Sequence, residues 1–167
     1  DLEKDRKFVR DVQIETDAEM LLPDAYVEST QERLSLYTEL DAIENEEGIA
    51  KYEAKLADRF GRLPKEAKEL FEGLRLRWVC KSLGFERVVL KNNKLRCYFV
   101  ENPQSPYYES AVFQHILSYV GEKGKAQGLS LKQSNRSLIL VRDEVKGLRA
   151  ATHLLKQIEQ TLPVTSP

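Results

Sequence analysis

Apolar residues in this chain change their spacing near Gly84, and that change constrains the fold more than any single motif. Before it they recur at helical steps of three and four: Leu36, Leu40 and Ile43; Ile49, Tyr52, Leu56 and Phe60; Ala67, Leu70, Phe71, Leu74 and Trp78. Such spacing puts each set on one side of a helix and predicts three successive helices with Phe60 and Trp78 in their core. After Gly84 the runs Phe85 to Lys91 and Lys94 to Glu101 are rich in strand-forming residues, with Leu95, Cys97 and Phe99 alternating. Alternation fits a sheet with one face packed on helices. Helices followed by hairpins, without a strand–helix repeat, give an α+β fold: a helical N-terminal half packed with a mostly antiparallel sheet built from hairpins and two further helices.

Local signals mark the boundaries. Gln13-Ile14-Glu15-Thr16 reads as a short strand. Ser29 with Glu32 makes a capping box for the first helix, and Asn45 caps the second, whose first turn carries Glu46 and Glu47. Gly61 suits the left-handed stop of that helix, Pro64 opens the third, and Gly84 ends it. Asn92-Asn93 and Ser134-Asn135-Arg136 supply hairpin turns. Asn102-Pro103 and Ser105-Pro106 interrupt the chain before a helix carrying Val112, Ile116 and Tyr119. A last helix presents Leu148, Ala151, Leu155 and Ile158.

A length of 167 residues suits one domain with a sizeable core. The expected division is a linker over residues 1–10, a single domain over 11–160 and a tail over 161–167. Lys and Arg total 26 against 27 Asp and Glu, a net charge of −1, which gives no global pull toward nucleic acid or membrane. No apolar run reaches the roughly 20 residues that span a bilayer, and no secretory pattern opens the chain, so a cytoplasmic location is expected. Cys80 and Cys97 are read as reduced, buried thiols.

Chemistry-bearing clusters are sparse. His115 and His153 stand on different helices without a metal-ligand spacing to Cys or carboxylate. Cys80 is followed by Lys81 but lies beside Trp78 and Val79, so an inert thiol is expected. Gly121, Gly124 and Gly128 lack the lysine and hydroxyl of a phosphate loop. Glu44, Glu46 and Glu47 read as helix-start charges. The chain is therefore expected to be no enzyme and to hold no cofactor or metal. Arg75, Arg77 and Lys81 share a helix, and Lys91, Lys94 and Arg96 surround a hairpin tip near Tyr98. The interspersed acids and the charge balance argue against direct nucleic-acid binding.

The segment Leu56-Ala57-Asp58-Arg59-Phe60-Gly61-Arg62-Leu63-Pro64 holds the remaining signal. At about 100° per residue Asp58 projects almost opposite the Ile49–Phe60 stripe and Arg59 flanks it. Asp58-Arg59-Phe60-Gly61 with Leu63-Pro64 resembles the signature of the C-terminal domain of the bacterial transcription-repair coupling factor (Mfd). Asp17-Ala18-Glu19-Met20-Leu21-Leu22-Pro23-Asp24-Ala25-Tyr26 resembles that family's opening segment. Arg33-Leu34-Ser35-Leu36-Tyr37, Leu74-Arg75-Leu76-Arg77 and Leu83-Gly84 follow in the family's order. The resemblance runs from about Asp11 to about Gln157.

The resemblance implies a regulatory, protein-interaction domain within an ATP-driven DNA translocase of nucleotide-excision repair. It would dock on the factor's own UvrB-like N-terminal module and hide the surface that binds UvrA until the factor engages stalled RNA polymerase. The family contact uses the Asp-Arg pair and an acidic residue one turn earlier. That carries over to Asp58 and Arg59, while the third position is Lys55, which reverses the charge. An accessory DNA or polymerase contact is the alternative, and a plain structural domain the third reading.

Overall fold

A computed structural model describes residues 8–163. In chain order the elements are β1 (Gln13–Thr16), α1 (Thr30–Asp41), α2 (Glu46–Phe60), α3 (Lys65–Leu83), β2 (Phe85–Lys91) and β3 (Lys94–Phe99). A 3-10 turn (Pro106–Glu109), α4 (Ala111–Gln127), β4 (Leu129–Ser134), β5 (Ser137–Arg142) and α5 (Leu148–Gln160) complete them. The architecture is α+β. The chain divides into two compact units: Ala18–Arg75, and the residues up to Asp17 together with those from Leu76 onward.

In the helical unit the caps form as the sequence dictates. The Ser29 hydroxyl accepts from Glu32 N at 3.2 Å, and Asn45 Oδ1 accepts from Gly48 N at 2.8 Å. Gly61 takes φ 87°, where a side chain would be strained, and its N–H closes on Ala57 O at 3.0 Å. Leu36, Leu40, Ile49, Tyr52, Leu56, Ala67, Phe71 and Leu74 are buried. Tyr52 packs edge-on against Phe71 and donates its hydroxyl to Leu36 O at 2.9 Å, so a buried polar group is satisfied. Phe60 is only half-buried, contrary to its place in the expected core: it ends its helix against the Tyr26 ring, with centroids 5.7 Å apart.

The other unit is organised by a sheet of order β1-β2-β3-β5-β4. The β2–β3, β3–β5 and β5–β4 pairs are antiparallel, and both hairpins turn on positive-φ residues: Asn92 and Asn93, then Asn135 and Arg136. β1 pairs with β2 in parallel, matching Gln13 to Arg87 and Thr16 to Leu90. A parallel partner is open to it because residues 17–84 form a long crossover. One face of the sheet buries Val88, Leu90, Leu95, Cys97, Phe99 and Leu140. An aromatic cluster continues that core: Phe99 meets Phe85 at 4.9 Å and Phe113 at 5.6 Å between centroids.

Two helical assignments are corrected. On α4 Phe113 is buried and Val112 half-buried, so the inward stripe is Phe113, Ile116 and Tyr119. On α3 beyond Arg75 the buried positions are Leu76, Val79, Cys80 and Leu83; Trp78 falls between them and stays half-buried. Of the expected linker, residues 1–7 lie outside the described residues, while Val9 is buried and Phe8 packs on Tyr107. Residues 164–167 of the expected tail also lie outside them.

Candidate docking surface

The exposed side of α1 and α2 carries all three residues singled out by the signature. Its framework is fixed by tyrosine and arginine side chains bonded to backbone. The Tyr26 hydroxyl donates to Leu56 O at 3.2 Å and Gly61 O at 2.8 Å, tying the end of α2 to the segment before α1. Leu22 N donates to the Tyr37 hydroxyl at 2.7 Å, and Arg33 Nη1 donates to Val27 O at 2.5 Å. Much of the motif thus shapes the chain, and only part of it faces outward.

Lys55 Nζ lies 2.7 Å from Glu39 Oε2 and 3.0 Å from Glu39 Oε1. Arg59 pairs with Glu32 and rests its guanidinium 4.8 Å over the Phe60 ring. These pairs rim a shallow cleft of about 380 Å³ with Ser29, Ser35 and Leu36. All four charged side chains are between a third and a half exposed, so each pair contributes within about 1 kcal/mol. The structure therefore adds Glu32 and Glu39 to the surface.

Asp58 differs from its neighbours. It is exposed and makes no ion pair with any described residue. It also sits in the last turn of α2, where the partial negative charge of the helix terminus disfavours a carboxylate by about 0.3–1 kcal/mol. No ion pair within the helical unit returns that cost. The geometry brings Lys55 and Arg59 together on α1 glutamates and leaves Asp58 facing solvent.

Elsewhere both thiols are buried, His115 is half-buried and His153 is exposed. Burial, and then the neighbouring Cys97, hold the Cys80 thiol well above the ordinary thiol range; burial does the same to Cys97. His115 Nε2 is 3.0 Å from both Ile158 O and Thr161 Oγ1. Gly124 lies where a Cβ would come within 2.6 Å of Leu129 O, and Gly128 takes φ 70° to end α4. No group of three or more potential metal ligands occurs among the described residues. Nor is any helix among them long and apolar enough to cross a membrane. Arg75, one of the basic candidates, is held by Glu46 at 2.8 Å and Glu72 at 3.0 Å.

The model of the TRCF domain matches residues 16–110, which include α1, α2, the Asp58-Arg59 pair and β2–β3. A transcription-repair-coupling factor of Escherichia coli is 34% identical over 68 residues, 41% of this chain and 6% of that protein. One from Staphylococcus epidermidis is 20% identical over 154 residues, 92% of this chain and 13% of that protein. The chain thus spans only a small part of the relatives it matches. A crystal structure of the C-terminal domain of a transcription-repair coupling factor superposes with a TM-score of 0.64 at 19% identity, covering 90% of this chain and 96% of that one. With more than half of its length matched by the family model and this fold around the match, the chain belongs to the TRCF domain family of transcription-repair coupling factors.

Proposed function

We propose that this chain is a non-catalytic regulatory domain that docks on the UvrB-like N-terminal module of its parent factor and masks the UvrA-binding surface there. The parent, in this reading, is a cytoplasmic ATP-dependent DNA translocase that links stalled RNA polymerase to nucleotide-excision repair. Lys55, Asp58 and Arg59 are the partner-binding residues. The observation that carries the reading is Asp58: an unpaired carboxylate, exposed in the disfavoured last turn of α2. A cation on the docked module would supply the return that the helix does not. An exposed charged rim suits a reversible cover, because charges set register and on-rate without a large apolar area to hold it shut.

The positive charge of Lys55 is neutralised locally. Glu39 lies within ion-pair distance, so the surface around residue 55 keeps a carboxylate contributed by α1. The docking contact in this chain is then read as Asp58 and Arg59 with the Glu39–Lys55 pair beside them. The test is UvrA capture by the full-length factor without polymerase. The Asp58→Ala/Arg59→Ala factor should capture UvrA at least about fivefold more strongly, since release of a cover couples sites by roughly 1–3 kcal/mol. Capture equal to that of the unaltered factor contradicts masking.

A further inference from the structure

The outward face of the sheet presents an ordered array of charge. Strand register places Arg87, Tyr98, Ile139 and Lys132 in one cross-strand row, and Val89, Arg96, Val141 and Ser130 in the next. Lys91 and Lys94 stand directly opposite one another at the β2–β3 end. Five cations thus share a face whose carboxylates are Glu15, already held 2.8 Å from Arg87, and Asp17 at the hairpin tip, which accepts from Asn92 N at 2.9 Å. Asp143 lies at the edge of the shallow groove, about 510 Å³, that crosses this face. Lys94, Arg96 and Lys132 are exposed and form no ion pair with any described residue. Directly opposed like charges such as Lys91 and Lys94 are destabilising in a sheet. The chain as a whole carries −1, so this concentration is a local feature.

The middle of the array is aliphatic. Val89, Val141 and Ile139 lie between the basic residues, with Ile139 only 5% exposed. Tyr98 is the aromatic of the two rows, and the Arg87 guanidinium already covers its ring at 4.7 Å. A single-stranded nucleic acid gains from open aromatic faces on which bases stack. Here that face is taken, and the half-buried Val89 and Val141 offer aliphatic carbon instead. Carboxylates outside with apolar side chains between them are the complement of such a surface.

We infer that the outward face of β2–β3–β5–β4 is a binding site for an acidic polypeptide segment that carries aliphatic or aromatic side chains among its carboxylates. The site is separate from the α1–α2 docking surface, and neither proposal depends on the other.

Fluorescence anisotropy on the 167-residue chain tests it with three labelled probes: a short peptide alternating Glu with Leu and Phe, the same peptide with Lys for Glu, and oligo(dT) of matched charge. The Glu peptide should bind, weaken as salt rises, and shift amide resonances of residues 87–98 and 130–141. Arg96→Glu/Lys132→Glu should weaken it by about tenfold or more, because it sets like charges against one another. Arg96→Gln/Lys132→Gln, which adds no repulsion to the fold, should weaken it less, and Lys51→Glu on α2 should not. No binding of the Glu peptide, equal binding of the Lys peptide, tighter binding of oligo(dT), or shifts away from the sheet would each overturn the inference.

Discussion

In the helical unit Lys55, Arg59 and Arg75 each reach a glutamate within the unit, whereas on the sheet Lys94, Arg96 and Lys132 reach none among the described residues. The cores differ as well. The sheet unit buries an aromatic cluster around Phe85, Phe99, Tyr107 and Phe113, while the helical unit relies on aliphatic stripes and on tyrosine hydroxyls bonded to backbone. Paired surface charges fix how helices register but add little stability. Charges left unpaired are the places where an outside partner can add the most. By that measure the helical unit offers scattered exposed carboxylates, of which Asp58 alone stands in the disfavoured last turn of α2, and the sheet unit offers a field of cations.

The contrast between the cores gives the largest expected effect. Phe85→Ala, from a fully buried position, should cost about 3–5 kcal/mol in urea unfolding. Phe60→Ala, at the half-buried end of α2, should cost about 1–2 kcal/mol from the apolar area it covers. Equal losses would erase the distinction. Buried thiols sharpen it next. Folding raises both thiol pKa values, so their contribution is full below the unfolded value and is lost as pH rises above it. Above about pH 8.5, stability should fall by roughly 1.4 kcal/mol per pH unit per thiol. Cys80→Ala/Cys97→Ala should flatten that limb of the curve, and an unchanged limb would place its origin elsewhere. Among the surface pairs, Glu39→Gln should change stability by less than about 1 kcal/mol. The smallest effect belongs to Asp58→Asn, which should leave stability unchanged or raise it slightly, by about 0.3–1 kcal/mol, through relief at the helix end. Marked destabilisation would show that Asp58 serves the fold.

How much could be read from the residues depends on how local each feature is. Ser29, Asn45, Gly61 and Asn92-Asn93 act on neighbours within four positions, so caps and turns were recognisable directly. Asp58's outward direction followed from its angle to the Ile49–Phe60 stripe. The partners of Lys55 and Arg59 did not, because Glu39 and Glu32 stand 16 and 27 residues away and meet them only through the register of α1 on α2. Glu32 could be seen only as a capping-box residue. β1 was visible as a strand, but its parallel pairing depends on the whole crossover. On α4 Ile116 and Tyr119 are buried as expected, and only the first member of the stripe is Phe113 in place of Val112, both being apolar. The cationic rows were visible only as a hairpin cluster, since Lys132 joins Arg96 through β5.

Titration of this chain against the isolated N-terminal module that the proposed function assigns to its parent factor, with unaltered chain and Asp58→Ala in parallel, tests the central claim most directly. The account predicts that Asp58→Ala melts at the unaltered midpoint or slightly above it, yet binds the module about tenfold more weakly, the loss of one well-placed rim charge. Equal affinity of the two chains for the module, at equal stability, would contradict docking through Asp58.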